Sequence, residues 1–500
     1  MIWAVLALAS AVALTLSFPG FDLWPLAWVA LVPLFAVYRS FPVRQSVLAT
    51  IVTGAAFFGA LLYWVAIFGH APWILLSIFQ AAFFVAFGLA SYPLFRSRAG
   101  WARLILVPAI WVALEWLRSL GSFGFTWGDL AQSQTRFLHF IQMGSVTGPW
   151  GPAFVIVAAN VALADLLLLR SMRAFLETAI VAVLVCAAAL GGASSMRAAR
   201  TPGERLSVAL IQGNVEQELK PGETWEEHTR YAVSAYGRAT LEAMKRRPNL
   251  IVWAETAIPG HLLGPDSSRW VVETLARVAR AHLLVGSMDK APRVNGKERD
   301  YNGAYMFGPD GTLLGTYYKT HLVPFGEFVP GRGWLPFLQR YKIRAVDIAP
   351  GPGYRPLEAE FGRTGVMICF ESIFPYIART IVRRGASVMV VMTNDAWFER
   401  TLAAEQHHAM SILRAVENRR YVARCAATGV SSVIDPWGRV RGATDIFEAG
   451  IVYGEMVPLK SQTFYSRFGD WFAYLCAALA AASLTRRALR RILGTRRAAS

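Results

Sequence analysis

Apolar residues crowd the two ends of the chain, and that distribution limits the fold more than any single motif does. Met1 to Leu190 and Trp471 to Leu484 are dense in Leu, Ala, Val, Ile, Phe and Trp, whereas Arg205 to Lys460 has the mixed polarity of an ordinary soluble domain. Of 500 residues, 55% are hydrophobic and 17% charged, so the chain is either unusually rich in core or partly in lipid. A membrane protein carrying one globular domain fits both halves.

Candidate spans are Ile2 to Leu16, Phe21 to Val37, Ser46 to Phe68, Trp73 to Phe95, Ala102 to Leu117, Ala153 to Leu169, Phe175 to Leu190 and Phe468 to Leu484. The shortest need flanking residues to reach the usual length of about 20. Ile2 to Leu16 resembles the core of a signal peptide but lacks a basic n-region, so it is read as an uncleaved first span. Orientation follows the arginines. Arg39 and Arg44, then Arg96, Arg98 and Arg103, then Arg170 and Arg173, and finally the tail Arg486 to Arg497 occupy alternate connections. The positive-inside rule then predicts both termini in the cytoplasm and the large polar segment outside it. The connector Gly121 to Trp150 is aromatic and weakly polar, which suits either an interfacial segment along a lipid path or a surface loop with aromatic anchors.

The net charge of +17 does not indicate a nucleic-acid binder, because its densest cluster is a tail behind an apolar helix, where anionic lipid head groups explain it. Four cysteines offer no CxxC spacing for zinc and no disulfide framework.

In the polar segment, strands and helices alternate. Strands are expected at Leu206 to Gln212, Leu250 to Trp253, Leu283 to Ser287, Tyr301 to Phe307, Leu313 to Tyr318, Val366 to Ile368, Ser387 to Thr393, Tyr421 to Ala427 and Ser431 to Asp435. Helices are expected at Trp225 to Lys245, Ser268 to Ala281, Ser372 to Arg384 and Ala403 to Asn418, and Gly308 to Gly311 reads as a hairpin turn. This is an α/β domain with its sheet covered by helices. Such folds present their sites at strand ends, and three polar residues fall there: Glu255, Lys319 and Cys369. A carboxylate that takes a thiol proton, a thiolate that attacks a carbonyl and an ammonium that steadies the oxyanion make a workable set for acyl transfer. Cys369 sits at a strand-to-helix corner, where free backbone N–H groups are expected to lower its pKa. Each residue also has a plain reading: Cys369 a small core residue, Glu255 a helix N-terminal charge, Lys319 a surface lysine.

At these residues the chain resembles a known family. Trp253-Ala254-Glu255-Thr256-Ala257-Ile258-Pro259, the block from Tyr318 through Lys319-Thr320-His321-Leu322-Val323-Pro324-Phe325-Gly326-Glu327-Phe328-Val329 to Pro330, and Cys369-Phe370-Glu371 look like the Glu, Lys and Cys blocks of the nitrilase (carbon-nitrogen hydrolase) superfamily. The start Phe21 to Trp28, the eight spans, the insert between the last two of them and Asn394-Asp395-Ala396-Trp397-Phe398 are similar to its membrane-bound, lipoprotein-acylating branch.

The resemblance implies an eight-helix membrane bundle plus a nitrilase-like αββα sandwich. Residues 1–195 would hold seven transmembrane helices, 196–465 a periplasmic catalytic domain, and 466–500 the eighth helix and a basic cytoplasmic tail, in a bacterial inner membrane. Glu255 is implied as general base, Lys319 as oxyanion stabiliser and Cys369 as nucleophile. Glu327 is implied as a second site carboxylate, Glu371 as a supporting one, Trp225 as a neighbour of the lipid cavity, and Asn394 and Trp397 as site lining. Phe370 replaces a Tyr common in the family, keeping the ring and losing the hydroxyl. The implied reaction passes an acyl chain from a membrane phospholipid, through a Cys369 thioester, to the α-amine of the N-terminal diacylglyceryl-cysteine of an apolipoprotein. It uses no cofactor, metal or nucleic acid, and a monomer suffices.

Other residues keep plainer readings. His407 and His408 are adjacent, so on a helix they point about 100° apart and read as surface or packing residues rather than metal ligands. Cys425 reads as core. Glu115 is either a functional intramembrane carboxylate or the partner of Arg118. Two other functions compete with acyl transfer: a tethered amidase or nitrilase, for which eight spans are excessive, and a non-catalytic scaffold, which has no need of Glu255, Lys319 and Cys369 together.

Overall fold

The computed structural model describes residues 1–97, 100–215, 219, 221–264, 268–294, 297–330 and 347–498, so Arg98 of the orientation argument lies outside the described residues. The chain divides into two compact units, one of residues 1–120, 124–199 and 468–500 and the other of residues 121–123 and 200–467.

The first unit is helical. Among the described residues, four helices are long and apolar enough to cross a membrane: Val43–Leu61, His70–Arg96, Trp150–Leu169 and Met172–Arg197. The outward faces of His70–Arg96 and Met172–Arg197 carry Leu75, Ile78, Leu89, Val183 and Leu190, each more than half exposed, an apolar surface too extensive to leave in water. Ile2–Leu16 is a shorter apolar helix. Phe21 to Val37 is not the single helix expected. Pro25 opens a 3-10 turn, Trp24–Trp28, and Pro33 opens a separate helix, Val32–Ser40; a proline lacks the N–H that a continuing helix needs and so begins helices instead.

The connector Gly121 to Trp150 is not a surface loop over its central part. Phe125, Trp127, Leu130 and Ala131 are buried, Gln134 accepts from Trp28 Nε1 at 3.0 Å, and Asp129 pairs with Arg118. Arg118 is thus paired with Asp129, while Glu115 accepts the Leu130 N–H at 2.7 Å, so of the two readings of Glu115 the one that made it the partner of Arg118 is not what the hydrogen bonds show.

The second unit has two sheets. One contains β1 (Leu206–Gln212), β2 (Leu250–Trp253), β3 (Ile258–His261), β4 (His282–Val294), β5 (Lys297–Phe307), β6 (Leu313–Tyr318), β7 (Asp347–Ile348) and, at its edge, β14 (Gly450–Met456). The other runs in the order β13 (Val440–Ala443), β12 (Ser432–Ile434), β11 (Val422–Ala426), β10 (Val388–Thr393), β9 (Gly362–Ile368) and β8 (Leu357–Ala359). Strand side chains alternate between faces. Val208 and Leu210 of β1 therefore meet Val366, Ile368, Val390, Met392 and Cys425 between the sheets, while Ala209 and Ile211 face the helices Trp225–Ala243 and Arg269–Ala279. The helices Pro375–Arg383 and Ala403–Asn418 pack on the second sheet's side. The result is a helix–sheet–sheet–helix sandwich.

Direction places the site. β2 and β4 are parallel, and two antiparallel steps from β4 through β5 bring β6 back to the same direction, so β2 and β6 end at one edge. β9 and β10 are parallel, with Ile368 opposite Met392, and likewise end together.

Candidate active site

Glu255 follows β2, Lys319 follows β6, Cys369 follows β9, and Asn394 follows β10. Two close approaches need glycine. A β-carbon on Gly286 would lie 2.2 Å from the Ala254 carbonyl oxygen, and one on Gly365 would lie 2.1 Å from Ile381 Cγ2. The first brings the Glu255 turn down onto β4; the second seats a helix against the strand that carries Cys369.

Lys319 is 1% exposed, with Nζ 2.7 Å from Glu327 Oε1 and 3.6 Å from Glu255 Oε1. Burial works against its charge, but Glu327 and Glu255 more than offset this and hold its pKa above the usual lysine value. Glu327 is fixed by the Val323 N–H on its other oxygen at 2.8 Å. Glu255 is held at both ends, Oε1 accepting from Asn302 Nδ2 at 2.7 Å and Oε2 from the Asn394 N–H at 2.7 Å.

Cys369 is half-buried and has φ +50, a left-handed conformation that costs a residue with a β-carbon about 1–3 kcal/mol. It opens a 3-10 turn, Cys369–Ile373, and the α-helix begins only at Pro375, not at Ser372. The expected depression of its pKa is also corrected. Burial pushes the thiol up, Glu255 adds to this, and Lys319 only partly opposes it, so the resting sulfur is a thiol and needs a base to take its proton.

Glu371 is fully buried and accepts four donors: the N–H groups of Thr320, His321 and Ile368 and the Tyr317 hydroxyl, at 2.7–3.1 Å. It ties the Lys319 and Cys369 segments into one piece. Burial still pushes it up to about 7 against those donors. The Phe370 ring lies 5.7 Å from that of His321 and 5.1 Å from that of Phe374, so the ring without a hydroxyl packs in an aromatic cluster. Asn394 contributes its main-chain N–H to Glu255, and its side chain accepts from the Ala396 N–H. Trp397 is 42% exposed beside it, and Trp225 is 58% exposed on the first turn of its helix, behind a capping box formed by Thr224 and Glu227.

Sequence reasoning missed Asn302, Tyr317 and a buried array beneath Cys369. His407 is 1% exposed and bonded to Asp395 and Ser372, so the surface reading fails for it, whereas Cys425 is core as expected. His408 bonds Ser432 Oγ at 2.8 Å.

A carboxylate held against an ammonium, with a thiol on which both charges act, is a set able to form and break a thioester. Residues 10–162 match the apolipoprotein N-acyltransferase N-terminal domain and residues 207–462 match carbon-nitrogen hydrolase. An apolipoprotein N-acyltransferase of Geobacter metallireducens is 36% identical over 95% of this chain and 94% of its own. The chain belongs to the apolipoprotein N-acyltransferase family. Further apolipoprotein N-acyltransferases, from Pseudomonas putida and Chlorobaculum tepidum, are each 31% identical over 95% of this chain and cover 95% and 94% of their own. As a member of that family, the chain is a multi-pass membrane protein with a nitrilase-like α/β domain.

Proposed function

We propose that the chain moves an acyl chain from a membrane phospholipid to the α-amine of the diacylglyceryl-cysteine that begins an apolipoprotein. Supporting this most directly is Lys319, held between Glu327 and Glu255 in a segment that Glu371 ties to that of Cys369.

Glu255 takes the thiol proton and Sγ attacks the ester carbonyl. The oxyanion forms against the Lys319 ammonium, the carbon–oxygen bond breaks, and the proton passes to the departing lysophospholipid. In the second half, the α-amine attacks the thioester, the carbon–sulfur bond breaks, an amide forms, and the amine's proton returns through Glu255 to sulfur. Glu327 keeps Lys319 charged throughout. Glu371 holds the Lys and Cys segments together, the Asn394 N–H orients the base, Phe370 packs against His321 and Phe374 behind the nucleophile, and Trp397 and Trp225 offer apolar surface to the acyl chain.

Eight helices, both termini in the cytoplasm and the catalytic unit on the periplasmic side of a bacterial inner membrane complete the reading. Both substrates are lipid-anchored, so the site belongs at a bilayer surface, and one chain carries every group the reaction uses. The test is to supply phospholipid with a labelled acyl chain and then a diacylated lipopeptide. Labelled amide with ping-pong kinetics is expected. Release of free fatty acid without amide, whether or not lipopeptide is present, would make the protein a hydrolase instead.

A further inference from the structure

The chemistry above leaves unused a second set of buried polar side chains behind the nucleophile. Ser372 Oγ lies 2.8 Å from the Cys369 carbonyl oxygen and 2.9 Å from His407 Nε2, which is itself 3.2 Å from that carbonyl. His407 Nδ1 lies 3.0 Å from Asp395 Oδ1 and 3.1 Å from Arg424 Nη2. Asp395 is fixed in turn by Arg424 at 2.7 Å and by the Thr393 hydroxyl at 2.8 Å. Ser372, His407, Asp395 and Arg424 are each no more than 1% exposed.

Ser372 has the partners of a hydrolytic serine, yet it is sealed from any substrate. What the array touches instead is the main-chain oxygen of Cys369, the residue held at φ +50. A peptide unit is planar, so donors fixed on its carbonyl set the whole plane and hence the direction of the Cys369 side chain. Ser372 has one hydroxyl proton to give. A neutral ring protonated on Nε2 lets ring and hydroxyl both donate to the Cys369 carbonyl, while Nδ1 accepts from Arg424 Nη2, which Asp395 holds through Oδ2.

We propose that His407, oriented by Arg424, which Asp395 holds, and assisted by Ser372, is a positioning residue that holds Cys369 in its left-handed conformation and aims the sulfur between Glu255 and Lys319. The inference rests on the thioester reading above. It is tested by single-turnover thioester formation from labelled phospholipid in the full-length, detergent-solubilised protein.

His407→Ala is expected to slow acylation by about a hundredfold, the scale of a misplacement near 1 Å, with KM for phospholipid changed by less than about twofold. His407→Gln, which restores a donor near Nε2, should recover about tenfold of that loss, and Ser372→Ala should lose about tenfold. Wild-type rates in both alanine variants, a glutamine variant no faster than alanine, or a loss expressed in KM alone would overturn the inference. Should His407→Ala not fold, Ser372→Ala and His407→Gln decide by the same criteria. Absence of thioester from the unaltered protein would refute the functional reading itself, whereas a normal thioester in every variant would refute only this positioning role.

Discussion

Lys319 is the residue on which the electrostatics of the site turn, because its charge is kept in a buried place only by the carboxylates around it. Removing one partner of such a pair strands the other. Glu327→Ala should therefore cost about 3 kcal/mol of stability, seen as a fall in melting temperature, and should slow thioester formation as Lys319 is drawn toward Glu255. Unchanged melting and unchanged acylation would remove Glu327 from the account. His321, beside this pair, supplies the pH dependence. Burial and the Lys319 charge lower its pKa from 6.5 to about 4, against a smaller opposing pull from Glu327, while Tyr376 hydrogen-bonds its Nδ1 at 3.0 Å. The unfolded chain then binds a proton near pH 6.5 that the folded chain refuses until about pH 4. Stability should be complete above pH 6.5 and lost progressively as pH falls toward 4. Melting temperatures across that range should fall less steeply in His321→Gln than in the unaltered protein; equal slopes would contradict this.

The elements explain how residues so far apart in the chain meet. Two antiparallel steps return β6 to the direction of β2, and β9 and β10 run in parallel, so three chemically useful side chains leave strand ends rather than strand middles. Gly365 is the tightest point of that scaffold. Gly365→Ala should destabilise the protein by about 1–3 kcal/mol through the clash with Ile381, and the double variant with Ile381→Ala should regain part of the loss. A double variant no more stable than either single one would show that space is not what the glycine supplies. These elements were largely legible, because strand ends flanked by Glu255, Lys319 and Cys369 carry both a hydrophobic period and a motif. Less legible was whatever depended on contacts between distant segments. Asn302 meets Glu255 across 47 positions and His407 meets Ser372 across 35, and nothing local to either marks it. The thiol's raised pKa was misjudged for the same reason. The turn supplied a reason to lower it, but the burial and the Glu255 charge that raise it belong to the assembled site.

At the scale of the whole molecule, apolar helices precede the α/β unit in sequence and the helix Trp471–Ala498 follows it, and in the proposed reading arginines on alternate connections put that unit outside the cytoplasm. The Gly308–Gly311 turn of the catalytic unit should accordingly be reached from the periplasmic side. In Asp310→Cys, a membrane-impermeant maleimide should label the introduced thiol in intact spheroplasts; labelling only after lysis would reverse the proposed orientation. Connector residues such as Trp127 and Leu130, which are buried, show why composition alone could not place that stretch: an aromatic segment with few charges reads alike in a surface loop and in a core. The measurement that bears most directly on the whole account is the intact mass of the purified protein after exposure to a phospholipid of single acyl composition. A mass increase of one acyl group, removed by hydroxylamine and absent from Cys369→Ser, is the predicted result. No increase, or one that persists in Cys369→Ser, would contradict it.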